Sequence, residues 1–399
     1  MRRVAISGMG AVSAAGIGVE ALWQAARDGR CGIRPITIEF ARSNRIKIGA
    51  AVPDFNGADH LDEITLRTCD RHAQFAMVAA REAIAASGLT ADELTGSRTA
   101  VVIGTGAGGI GTLDEGCRAY YSDQKFDTFA VPRGMVSSAS CHLGIAHGVT
   151  GPTFAVSSAC ASSSQAIGVA AQMIRSGLVD RAITGGAEAC LTPATMRTWE
   201  YLRVLTADTC RPFSVGRSGM AIGEGAGICV LEAEDALAER GGTAQAWLAG
   251  YGTSSDARDM VQPDVDGAAK AVVAALADSG LSVEAIGYIN AHGTATVAND
   301  INEAAALRQV FGRTLNAIPV SSSKPVIGHA LGAAGALELL ITVRALQAQT
   351  VPPQINSKGI DPKCALSLPM NGALSHQFDA AMSNSFAFGG INAVLVVSR

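Results

Sequence analysis

Four residues stand out for the chemistry their surroundings permit: Cys160, His292, Lys324 and His329. Cys160 lies in "SSACASSSQAIG", where a strand-like segment gives way to a helix-like one. A thiol at the first turn of a helix feels the partial positive charge of unpaired backbone N–H groups, which favours thiolate. Ala159, Ala161 and Ser162 leave room for a substrate to approach. Taken alone, Cys160 reads first as a buried packing residue, with a nucleophile as the alternative. His292 follows the apolar "AIGYI" and precedes Gly293, so it projects from a strand end, where open α/β sheets gather their sites. A hydrogen-bonded turn histidine is the plainer alternative. Glu303, in the helix-like "VANDINEAAAL", is either a partner for this site or a solvated charge.

Lys324 and His329 sit in "SSSKPVIGHALGAAGALELL", a glycine-bounded polar turn ahead of an apolar helix. If that turn is buried, the lysine needs a counter-charge, and an ion pair from Lys324 to Glu303 is expected; otherwise it is a surface turn. Near the C-terminus "SNSFAFGGINAVLVV" offers exposed backbone N–H groups around Phe388 as oxyanion donors, while Phe386 also fits a core.

These residues need a rigid frame. Val/Ile/Ala-rich runs such as "RRVAISGM", "TAVVIGTG", "TFAVSSA", "RAITGGAE", "AGICVLEAE", "AIGYINAHG", "AIPVSSSK" and "NAVLVVS" read as strands. "RHAQFAMVAAREAIAASG", "SSSQAIGVAAQMIRSG", "DGAAKAVVAALADSG" and "GALELLITVRALQA" read as helices, several of them apolar all round and so buried between sheets. The class is α/β. The order of strand, Ser-rich turn, reactive residue and small-residue helix occurs twice, at Cys160 and again at Lys324 and His329. Two equivalent halves, 1–250 and 251–399, would bring those turns together at a pseudo-twofold axis.

At 399 residues and 48% apolar, the chain needs two cores or one duplicated body. A formal net charge of −4 excludes a strong overall field toward nucleic acid or an anionic membrane. No apolar run is read as reaching the roughly 18 residues that span a bilayer, so a cytoplasmic protein without membrane insertion is expected. Nine cysteines, none in a CxxC pair, argue against a disulfide framework or a metal site. Gly104-x-Gly106-x-x-Gly109 has the form of a dinucleotide fingerprint but lacks the acidic residue closing the next strand, so no nucleotide cofactor is expected.

"SSACASSS", "NAHGTAT" and "SSSKPVIGHALGAAGALE", with "GGAEA", "GEGAG" and "NSFAFGGINA", resemble in order and spacing the elongating β-ketoacyl-acyl-carrier-protein synthases, of the KAS II kind. The resemblance runs from "VAISGMGAVSAAG" to "GGINAVLVV". It implies the thiolase fold, a duplicated five-layer α-β-α-β-α body, and a dimer. It also implies an acyltransferase performing decarboxylative Claisen condensation with malonyl-acyl carrier protein. Cys160 would accept the acyl group, His292 and His329 would promote decarboxylation, and Lys324 with Glu303 would orient them. Backbone N–H groups of Cys160 and Phe388 would form the oxyanion hole, Phe388 also serving as a gate. Thr294 and Thr296 would contact the phosphopantetheine arm, which the carrier protein supplies, so the enzyme needs no cofactor of its own. Ala107, with Phe386, would line the acyl site, its small side chain leaving room for a long or unsaturated chain. Arg67 and Arg211 would dock the acidic carrier protein.

Relatives of other kinds fit less well. Thiolases carry a second cysteine that "FAFGGIN" lacks, and initiating synthases use Cys, His and Asn. A chain-length factor, the non-catalytic partner in a ketosynthase heterodimer, lacks the cysteine; that role is the alternative to an enzyme. Ser214 and Ser218 stand where the family commonly has Asp, Met220 where it has Phe, Val261 and Ile327 where it has Thr, Val297 where it has Pro, Thr68 where it has Lys, and Ala387 where it has Gly. These departures imply a specialised polyketide or polyene synthase over a housekeeping fatty-acid enzyme.

Overall fold

The computed structural model describes residues 2–39 and 44–399. Its frame consists of strands β1 Val4–Ser13, β2 Thr99–Gly104, β3 Thr153–Val156, β4 Arg181–Glu188, β5 Gly225–Ala233, β6 Ala246–Ser255, β7 Ile286–Asn290, β8 Val320–Ser321, β9 Ala380–Ala387 and β10 Ile391–Ser398. The helices that matter here are α1 Arg71–Ser87, α2 Ile110–Tyr121, α3 Ser138–Ala146, α4 Ser162–Arg175, α5 Val265–Ser279, α6 Val297–Phe311 and α7 Ala334–Ala348.

The strand order exposes the duplication. Across the first half it is β3-β2-β4-β5-β1, with β3, β2 and β4 parallel and β5 antiparallel to β4 and β1. Across the second it is β8-β7-β9-β10-β6, with β8, β7 and β9 parallel and β10 antiparallel to β9 and β6. Counted within its half, each runs third, second, fourth, fifth, first. β1 and β6 meet antiparallel, Ala5 opposite Trp247 and Ile6 opposite Ala246, joining the halves. The repeat changes over within residues 234–245, so residue 250 lies inside β6.

α4 packs on β4 and β2 from one half and on β10 and β6 from the other, and α7 touches β9, β5 and β10. Both helices therefore lie between the two halves of the sheet. α1 and α3 cover the outer face of the first half, and α5 that of the second. This is the five-layer α-β-α-β-α arrangement of the thiolase fold. A helix covered on every side cannot keep a polar stripe, which is why "GALELLITVRAL" is apolar all round. From Ala334 to Val343 every residue of α7 is buried. Each fully buried Leu or Ile there contributes about 1.5–3 kcal/mol. The helical run Leu331–Ala348 is in fact long and apolar enough to cross a membrane, correcting the expectation that no run reaches that length. It is 83% buried inside the fold.

The N-termini of α4 and α7 meet. The Ala336 N–H of α7 donates to Ser163 Oγ of α4 at 2.9 Å, and beside them Ser164 of α4 shares a hydroxyl hydrogen bond of 2.8 Å with Ser385 of β9. A Cβ on Gly335 would fall 2.1 Å from Ser164 Oγ, so only glycine allows this approach. The two turns that precede these helices, one carrying Cys160 and the other Lys324 and His329, are brought face to face.

Candidate active site

Cys160 lies in the 3-10 turn Ala159–Ala161 between β3 and α4, directly after Ala159, which adopts φ +50°. Its Sγ is 3.1 Å from His329 Nε2, across 169 residues of sequence. Burial pushes the thiol up to about 12, opposed by the charge of Lys324 and by the Phe388 backbone N–H that points at the sulfur. The expectation of a stored thiolate at a helix start is thus corrected. Cys160 belongs to the turn before the helix, and the energetic cost of desolvating its charge exceeds the pull of the nearby N–H groups. The proton must leave to a neighbour during reaction, and His329 is in place to take it.

His292 and His329 stand edge to face, ring centroids 5.3 Å apart at 82°. Burial, reinforced by Lys324, holds both well below the ordinary histidine value, so both are neutral near pH 7. Lys324 Nζ lies 3.4 Å from His292 Nδ1. An ammonium has only donors, so Nδ1 accepts and the ring proton sits on Nε2. Lys324 is fully buried and donates to Glu338 Oε1 at 2.5 Å. Burial raises the Glu338 carboxyl to about 7, and Lys324 works against that rise.

The ion pair expected between Lys324 and Glu303 does not form. Glu303 Oε1 accepts the His292 backbone N–H at 2.8 Å and the Asn384 amide at 3.1 Å, and Oε2 accepts the Gly293 N–H at 2.8 Å. With three donors satisfied, Glu303 clamps the backbone of the His292 turn, where Gly293 takes φ +41°. Glu338, an acid inside the apolar "GALELL", is the residue sequence reasoning missed; an unexplained charge on an all-apolar helix was its signal.

A cavity of about 200 Å³ is lined by Cys160, His292, His329, Thr294, Thr296 and Phe388. The two threonine hydroxyls are 2.9 Å apart. Phe386 lies on the wall and its ring is 6.2 Å from that of His292. Phe388 stacks on Trp199, a contact the sequence gave no sign of, at 5.7 Å and 24°. Ala387 is extended (φ −112°), while Gly389 and Gly390 take φ +81° and +67°, so the backbone freedom of this loop lies after Phe388. Asp300, also missed, is buried and accepts the N–H groups of Phe213 and Ala295 at 2.7 and 3.1 Å. Its carboxyl is raised to about 7 by burial, with the Phe213 N–H and Arg217 opposing.

Ala107 is not on that wall. It packs against the apolar cluster of Cys160, Met196, Met220 and Leu331. Val261 lines the cavity, whereas Ser214 donates to Val215 O and accepts the Lys358 N–H, and Ser218 bonds Thr206. Val297 is exposed at the start of α6, and Ile327 is fully buried. Gly104 is required by packing, since a Cβ there would lie 2.4 Å from the Ser162–Ser163 backbone. Arg67 is exposed, over the Phe129 ring at 5.2 Å, and shares a shallow depression with Lys125 and Arg133. Arg211 is only 8% exposed and paired with Asp208, so it does not present the free guanidinium expected of a docking residue.

Comparison with known proteins places this geometry. The β-ketoacyl synthase N-terminal domain matches residues 1–236 and the β-ketoacyl synthase C-terminal domain residues 245–358. Nodulation protein E of Rhizobium sp. (strain N33) is 40% identical over 396 residues, 99% of this chain and 98% of that protein. 3-Oxoacyl-[acyl-carrier-protein] synthase 2 of Coxiella burnetii is 38% identical over 408 residues, 100% of this chain and 99% of the relative. Among solved structures, the ishigamide ketosynthase/chain length factor superposes with a TM-score of 0.95 at 34% identity, covering 100% of this chain and 99% of that one.

Proposed function

The chain belongs to the β-ketoacyl synthase family and is a β-ketoacyl-acyl-carrier-protein synthase, and from that premise we propose that Cys160, His292, His329 and Lys324 elongate a specialised polyketide or polyene chain. The observation that carries the residue roles is the meeting of Cys160 Sγ with His329 Nε2 at 3.1 Å, beside a second neutral histidine whose Nε2 bears the proton.

His329 takes the Cys160 proton as sulfur attacks the carrier thioester; the carbonyl oxygen draws on the N–H groups of Cys160 and Phe388. As the intermediate collapses, His329 returns the proton to the departing carrier sulfur, which leaves as the thiol, and is neutral again. The new thioester is close in energy to the old, so no nucleotide is consumed. A malonyl unit then loses carbon dioxide. Its enolate oxygen is held by the Nε2–H of His292 and by His329 in the tautomer that carries its proton on Nε2, and both rings, being neutral, do not quench the carbanion. The carbon attacks the Cys160 thioester, and the sulfur leaves as thiolate and takes up a proton from solvent, restoring the thiol. Thr294 and Thr296 hold the phosphopantetheine arm, and no further cofactor takes part. Lys324, anchored by Glu338, keeps His292 in its donor tautomer.

Support for a specialised chain comes from Ala107, small beside the Cys160 cluster, and from Met220, Val261 and Ala387 around the cavity. The partners are an acyl carrier protein, met at Arg67 with Lys125, and a second ketosynthase-fold subunit, either another copy or a chain-length-factor-like chain. β3 ends the sheet of the first half, and Tyr121 and Ile145 on α2 and α3 are 83% and 80% exposed, an apolar rim suited to such pairing. The same reading puts the protein in the cytoplasm.

Intact-mass measurement after incubation with acyl-carrier thioesters tests the reaction. Acylation of the native protein, lost in Cys160→Ala, is the expected outcome. A native protein that takes no acyl group of any length would instead be a non-catalytic chain-length-factor-like subunit. Assay of elongation products with the cognate carrier decides between specialised and ordinary fatty chains.

A further inference from the structure

Glu188 ends β4 and is fully buried, yet it touches no residue of the reaction. Its Oε1 accepts Thr105 Oγ1 at 3.1 Å and the Ala107 N–H at 3.2 Å, and its Oε2 accepts the Gly106 N–H at 2.6 Å and the Gly332 N–H at 2.9 Å. Three of these donors belong to the turn after β2 that carries Ala107. The fourth lies three residues beyond His329, next to Leu331 at φ +44°. One carboxylate therefore ties a turn of the first half to a turn of the second.

The fit leaves no slack. A Cβ on Gly332 would lie 2.2 Å from the Gly106 nitrogen and 2.6 Å from Glu188 Oε2, and one on Gly106 would lie 2.8 Å from that same oxygen. Ala107 and Leu331, carried by the two tied turns, both border the apolar cluster that holds Cys160. Any acyl group that pushes the Ala107 turn away from Cys160 must strain bonds that also fix the turn after His329. Four N–H and O–H donors converge on acceptors only, so the group works as a carboxylate and a carboxamide cannot replace it.

We propose that Glu188 is a positioning residue that couples the size of the acyl group to the placement of His329. This rests on the condensing-enzyme reading, in which Cys160 carries the acyl group. With the clamp intact, short chains are turned over with His329 in register and long chains work against it. Without it, the Ala107 turn yields to long chains while His329 loses register for short ones.

The experiment compares turnover of malonyl-acyl carrier protein with hexanoyl and dodecanoyl carrier thioesters as primers, in the native enzyme and in Glu188→Gln. The long-to-short turnover ratio should rise about tenfold in the variant, chiefly by loss with the short primer. Cys160 acylation by the hexanoyl thioester, read by intact mass, should stay within about threefold. An unchanged ratio, or equal losses at both lengths together with a lowered melting temperature, overturns the proposal and leaves Glu188 a structural residue. Should Glu188→Gln be insoluble, Thr105→Val removes one of the four donors and must move the ratio the same way by a smaller factor; no movement overturns the coupling equally. A native enzyme whose Cys160 is never acylated in the same measurement overturns the condensing-enzyme reading itself.

Discussion

At the scale of single residues, burial sets the chemistry. Cys160, His292, His329, Lys324 and Glu338 are each at most 7% exposed, and desolvation pushes the Cys160 thiol, the two imidazoles and the Glu338 carboxyl toward their neutral forms. The thiol remains a thiol and the imidazoles remain neutral, beside the Lys324–Glu338 ion pair. Both histidines hold their pKa below the unfolded value, so as pH falls through about 6.5 the unfolded chain binds protons that the folded site refuses. Stability from this source is present above that pH and is lost below it, by up to about 1.4 kcal/mol per pH unit for each histidine. Glu338 and Asp300, raised to about 7, act with the opposite sign, so the histidine contribution is read by difference. Between pH 7 and pH 5 the urea midpoint of the native protein should fall relative to that of His329→Asn. A constant difference would mean that His329 is not held neutral.

At the scale of elements, the site depends on strained turns held by buried carboxylates. Asp300, in the first turns of α6, accepts the N–H groups of Phe213 and Ala295, which are non-glycine residues at φ +61° and +65°. Asp300→Ala leaves two buried donors unpaired, at about 1–3 kcal/mol each. It also frees the turn between Thr294 and Thr296, so KM for the carrier thioester should rise on the order of tenfold to a hundredfold. Alkylation of Cys160 by iodoacetamide, which needs no threonine contact, should keep its rate; a KM unchanged from the native value would remove Asp300 from the binding role. The strands and helices themselves were largely legible. β1, β2, β4, β5 and β10 coincide with the Val/Ile/Ala runs, and α1, α4, α5 and α7 with the helical patterns. β9 was read only as a reactive motif, because Ser383, Asn384 and Ser385 look like a loop. They are fully buried in a central strand, where the Asn384 amide N–H donates to Glu303 and the Ser385 hydroxyl pairs with that of Ser164.

At the scale of the molecule, the repeat explains the site and the surface bears on the proposed partners. Arg67 and Lys125 lie on one depression, so charge reversal at either should weaken binding of the acidic carrier protein. The gap between native and Arg67→Glu affinities, followed by titration calorimetry, should narrow as salt rises from 0.05 to about 0.5 M; a gap independent of salt would point to lost packing on Phe129 instead. Arg211→Glu should lower stability, since Arg211 is buried against Asp208. The sequence by itself determined the α/β class and the duplicated turn-and-helix pattern, because periodicity and glycine-bounded turns are local signals; it offered Cys160, His292, Lys324 and His329 as candidates, whose roles came from the resemblance of their motifs to the β-ketoacyl synthases. The tertiary structure alone decided which charges pair. It gave Lys324 to Glu338 and left Glu303 to the backbone of the His292 turn. It also raised the Cys160 thiol, placed Arg211 inside, and tied the Ala107 and Gly332 turns through Glu188. Each of those outcomes depends on burial and on distances between residues far apart in the chain, which only the packing of the two halves fixes.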